Sequence, residues 1–182
     1  MKPTFSGIIL KTTIAHTVTY FLIGLIALVF LDYSAKYADP AISILMRQTN
    51  DPLVAAGPLF QVIRGALFGI VVFLLRDLVL ERKRGWLTLW AVLAIVGVIS
   101  PFGAAPASIE GMIYTTLPLW FHINGLPEIL LQSLLLAVVA TYWINHPNNK
   151  WLGWLMGVIF VVILLLGTAG VLAGLGILPM PE

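Results

Sequence analysis

Cysteine is absent from the 182 residues. That excludes thiol nucleophiles, disulfide exchange, iron–sulfur ligation and thiolate zinc sites, so a metal would have to be held by His, Asp or Glu. Charge is nearly as scarce. Charged residues are 10% of the chain and hydrophobic residues 60%, whereas about a quarter of a soluble domain is charged. Lys and Arg are missing altogether between Arg84 and Lys150, a stretch that nonetheless holds Glu110 and Glu128. Neither H-E-x-x-H nor G-x-S-x-G occurs, nor any other spacing that marks a hydrolase, intramembrane protease or transferase. Inverted repeats of the kind that typify secondary transporters are also lacking.

Long apolar runs fill the chain instead, and they belong in a bilayer. The net charge of +2 does not point to nucleic acid, because the basic residues are scattered at the ends of these runs. Lys2 and Lys11 ahead of an apolar stretch resemble the opening of a signal peptide. The run from Ile14 to Leu31 is longer than a signal core of about 7 to 15 residues and no A-x-A site follows, so it reads as a retained first span.

The pattern predicts an all-α integral membrane protein. Residues 1–182 form one transmembrane domain, a five-span helical bundle with spans at about 8–31, 53–80, 86–101, 128–144 and 151–177. Asp39–Pro40 and Asp51–Pro52 read as N-cap and first helical residue, the first opening an interfacial segment at about 40–48 with Ile42, Leu45 and Met46 on one face, the second launching span two. Pro58 predicts a kink in that span. The third clean apolar run, from Trp86 to Ile99, reaches only about 21 Å at helical rise, short of the roughly 30 Å core. Residues 102–127 are rich in Gly and Pro yet too apolar for a watery loop, and predict a re-entrant or interfacial segment before span four. Within it Ser108 caps a short helix with Glu110 in its first turn and Pro118 as its stop.

Orientation follows from Lys2, Lys11, Arg76, Arg82, Lys83, Arg84 and Lys150 on one side against Lys36 and Arg47 on the other. The positive-inside rule puts the N-terminus in the cytoplasm and the C-terminal Glu182 outside a cytoplasmic (inner) membrane. Glycines at 65 and 69, 153 and 157, and 170 and 174 have the small-xxx-small spacing that lets helices approach, and intramolecular packing is the expected use.

Arg64 lies twelve residues before Arg76, about 18 Å along the span. An arginine at that depth needs a partner. No acid stands between Asp51 and Asp77, which leaves Glu110 and Glu128 as candidates across the bundle. Gln61 is a turn from Arg64 and Gln132 a turn from Glu128, so two facing helices can present Gln61 with Arg64 and Glu128 with Gln132, while Tyr114, His122 and Asn124 cover them. Glu110 or Glu128 as base, His122 as acid and Arg64 as anion stabiliser would make a catalytic set, but no known spacing backs it. Glu110, His122 and Glu128 lack the spacing of a metal site and Arg64 would oppose one, so neither metal nor cofactor is expected. His16, among Thr12, Thr13, Thr19 and Tyr20, reads as a packed polar stripe.

The favoured reading is a non-enzymatic subunit or accessory protein of a membrane assembly. Its partners are the lipid bilayer and membrane proteins or further copies of itself, not nucleic acid. A small transporter or channel component that binds an anion or exchanges ions at Arg64 is the alternative, followed by a membrane enzyme acting on lipid headgroups.

Overall fold

The computed structural model describes residues 3–178, and every regular element among them is helical. Lys2 and Glu182, used above for orientation, lie outside the described residues. The order is α1 Phe5–Leu31, α2 Tyr33–Ala38, α3 Pro40–Ser43, α4 Pro52–Ala55, α5 Gly57–Leu74, α6 Arg76–Val79, α7 Gly85–Ala91 with a wider π-helical continuation Val92–Ile99, α8 Ile109–Tyr114, α9 Leu119–Asn145 and α10 Lys150–Gly174. Four of these, α1, α5, α9 and α10, are long and apolar enough to cross a membrane. Their length and composition suggest a multi-pass membrane protein.

The bundle is built around α1, which packs against α5, α9 and α10. Its closest neighbour is α5, because Gly65 and Gly69 face it. A Cβ on Gly65 would stand 2.8 Å from Thr13 Cα, and one on Gly69 2.7 Å from Ile9 Cα, so both must be glycine for the backbones to meet. The pair at Gly170 and Gly174 likewise seats α10 on Ala55 and Pro52 of α4. Among the described residues nothing lies within 4 Å of a Cβ on Gly157.

One end of the bundle collects positive charge. The Lys11 ammonium donates to the Trp143 carbonyl at 3.0 Å, Phe5 packs edge-on against Phe73, and the Arg76 guanidinium lies over the Phe73 ring. Asn145 donates to the Leu80 carbonyl at 3.0 Å, which brings the end of α9 to the turn carrying Arg82, Lys83 and Arg84. Of the four long helices, α1 and α10 run away from this basic end, while α5 and α9 both run towards it.

Several boundaries differ from the sequence expectation. The span expected over 53–80, with a kink at Pro58, is divided into α4, α5 and α6. Asp51 caps α4 as expected, accepting from Leu53 N–H at 2.8 Å, and the regular helix is interrupted at Ala56, two residues before Pro58, which has no N–H to continue the ladder. The Arg47 guanidinium and then the Leu53 N–H hold the Asp51 carboxyl below its ordinary value. α3 is only four residues long. Of its expected interfacial face, Ile42 is fully buried while Leu45 is exposed.

The third apolar run stops at Ile99, where Ser100 N–H bonds back to Ile95 O at 2.7 Å, a five-residue spacing. The seven residues of α7 and the eight of its π-helical continuation reach at most about 22 Å. Ser108 does cap α8, accepting from Gly111 N–H at 2.9 Å. Pro118, expected to end that helix, instead precedes α9, which begins at Leu119 and runs through Pro127. The boundary expected at 128 therefore moves nine residues earlier, because extended Pro118 starts the helix and His122 anchors its first turns.

Candidate functional site

The polar face of α1 is buried at the centre of the bundle. Thr12, Thr13, His16, Thr17 and Thr19 all point inward, and His16 is 0% exposed. His16 ties three helices together: its Nε2–H donates to Gln61 Oε1 of α5 at 3.0 Å, and its Nδ1 accepts from the Gln132 amide of α9 at 3.4 Å. Gln61 passes the chain on, donating from Nε2 to the Gly57 carbonyl at 3.3 Å. Each donor meets an acceptor with a neutral imidazole, so the network needs no charge. The Phe68 ring closes it with an edge contact at 4.9 Å.

Beyond this tie, towards the end opposite the basic one, Glu128 stands where three cavities meet. A chamber of about 230 Å³ lies between it and α2, a second of about 340 Å³ is bounded by Tyr20 and α4, and an apolar groove of about 190 Å³ runs between α1 and α9. Tyr33 donates its hydroxyl to the Glu128 carboxylate. The Lys36 ammonium lies 5.8 Å from the Tyr33 ring centre, and Tyr37 packs against Tyr33 at 5.2 Å. Burial, and secondarily Tyr20, push the Tyr37 phenol above its ordinary value.

The eight residues singled out from sequence are only partly brought together. Gln61 and Gln132 do not bond to each other; each bonds to a different ring nitrogen of His16, which links them from α1. Glu128 and Asn124 share the chamber with Tyr33, Lys36 and Tyr37. Arg64 forms no ion pair with any described carboxylate, contrary to the expected bond to Glu110 or Glu128. It is exposed on α5, with its guanidinium 5.4 Å from the Phe68 ring centre, and lines a small cavity of about 110 Å³ with Gln132, Ser133 and Gly97. Glu110 and Tyr114 sit exposed on α8.

His122 has a separate task. It is fully buried, and its Nδ1 accepts from Ala107 N–H at 3.0 Å, fastening the loop in which Ala107 holds a left-handed backbone (φ 68°) to α9. The sequence reading missed Tyr33, Lys36 and Tyr37. The two tyrosines at i and i+4 immediately after the first apolar run were the available signal.

The whole is a helical bundle with apolar outer faces and a polar cluster set within an apolar core, a form that suggests a multi-pass membrane protein. No known protein family, no curated protein and no solved structure matches the chain.

Proposed function

We propose that this protein is a non-enzymatic subunit or accessory protein of a membrane assembly, and that Arg64 is where a partner helix joins it. Arg64 carries the reading. An arginine within an apolar helix is costly unless its charge is matched, yet none of the described carboxylates forms an ion pair with it. Its guanidinium turns towards Phe68, one turn nearer the basic end, rather than towards the nearer end of α5. Phe60, Ile63 and Leu67 flank it as exposed apolar side chains. A second copy offers no match, because among the described residues of the four long helices Glu128 is the sole carboxylate, and it faces the cavities it shares with α1 and α2. The fitting partner is another transmembrane helix that carries Asp or Glu at the depth of Arg64.

In this reading the chain crosses a cytoplasmic membrane five times, the basic end in the cytoplasm and the C-terminus outside. Gly85–Ile99 makes the extra crossing, its short reach compensated by the protein around it. A second reading, a component of a small transporter, is favoured by the cavities that meet at Glu128.

The test is the mass of the particle extracted from native membranes in mild detergent. The wild type should run well above the 19.9 kDa chain, Arg64→Leu should fall to the single chain while keeping its helical content, and Arg47→Leu at the surface should behave as wild type. A wild-type particle of single-chain mass, or an Arg64→Leu variant that stays in the large particle, would overturn the assignment.

A further inference from the structure

The chamber and the apolar groove at Glu128 are two parts of one space. Leu31 and Glu128 line both. The chamber is charged at two points: Lys36 reaches it from α2 and Glu128 from α9, and the two form no ion pair with each other. Tyr33 stands between them, with its hydroxyl on Glu128 and its ring under Lys36. Trp120 and Phe121 complete an aromatic wall. The groove is lined by aliphatic and aromatic carbon alone apart from Glu128, with Ile23, Ile26, Phe30 and Leu131 along its sides.

We propose that this space binds a phospholipid whose headgroup carries both an ammonium and a phosphate. The carboxylate of Glu128 and the aromatic faces receive the ammonium, which both charge pairing and the ring quadrupole favour. Lys36 receives the phosphate as a point charge. One acyl chain leaves past Leu31 and lies in the groove between α1 and α9. Opposite charges held apart by a tyrosine complement a zwitterion better than a simple anion, for which Glu128 would be repulsive. The site is separate from Arg64, so either assignment stands without the other.

The test uses the full chain, purified in detergent, titrated with phosphatidylethanolamine, phosphatidylglycerol and the soluble headgroup glycerophosphoethanolamine, with bound lipid read by native mass spectrometry. Phosphatidylethanolamine should bind about tenfold more tightly than phosphatidylglycerol, the loss expected for one charged contact. Glu128→Gln should erase that preference. Lys36→Met should weaken both lipids together, since both carry phosphate. Ile26→Trp, which fills the groove from an exposed position and leaves every polar group in place, should lose lipid without loss of helical content, and so keeps the test decisive if Glu128→Gln fails to fold. Equal binding of the two lipids by the wild type, or a preference untouched by Glu128→Gln, would overturn the proposal. Soluble headgroup binding as tightly as the lipid would overturn the lipid assignment in favour of a free solute.

Discussion

His16 joins α1 to α5 and α9 through two side-chain hydrogen bonds, and its removal would leave the buried Gln61 Oε1 and the half-buried Gln132 amide without the partner each has here. Leaving a buried polar group unpaired costs about 1–3 kcal/mol, while single interhelical bonds in membranes average nearer 0.6 kcal/mol. His16→Leu should therefore lower stability by about 1–3 kcal/mol, measured as an earlier midpoint in denaturing-detergent unfolding, whereas His146→Leu at the exposed turn should leave the midpoint in place. An unchanged midpoint for His16→Leu would show that the tie contributes nothing. The sequence made Gln61 and Gln132 legible as polar positions on two of the spans, because each lies a turn from a charged residue. It did not reveal what joins them. The ion pair expected of Arg64 fails for a geometric reason: residues three apart are offset by about 60° around a helix of 3.6 residues per turn. That offset is enough to turn Gln61 into the seam with α1 and Arg64 out of it.

At the scale of the element, glycine placement decides which helices touch. Gly65 and Gly69 meet α1 backbone at distances no Cβ tolerates, while Gly24 has nothing near it. Gly65→Ala and Gly69→Ala should each destabilise by about 1–3 kcal/mol, the usual cost of forcing atoms into a packed seam. Gly24→Ala should be neutral or slightly stabilising in the same unfolding assay. Equal effects at all three positions would contradict the α1–α5 seam. The long apolar helices were readable from hydropathy, and so were the caps at Asp39, Asp51 and Ser108, because each cap is a local hydrogen bond between neighbours in sequence. The early start of α9 was not readable. It depends on His122 meeting Ala107 across fifteen residues, and Pro127 inside the helix reads locally as a beginning. The π-helical turn at Val92–Ile99 left no mark in an unbroken apolar run.

For the whole molecule, the arrangement rests on antiparallel packing, with α5 and α9 running towards a basic end, α1 and α10 away from it, and an opposite end that gathers Glu128 and its tyrosines. Composition was sufficient to place the chain in the membrane class and to collect its basic residues on one side. Whether Gly85–Ile99 crosses is the point on which the five-crossing account turns. The natural chain lacks cysteine, so single cysteines can be introduced at exposed Asn50, Lys83, Thr116 and Asn148 and probed in intact cells with a membrane-impermeant maleimide. Asn50→Cys and Thr116→Cys should be labelled from outside, and Lys83→Cys and Asn148→Cys should be labelled only after the membrane is opened. Protection of Thr116→Cys together with Lys83→Cys would contradict the account, for it would leave Gly85–Ile99 with both ends on one side of the membrane.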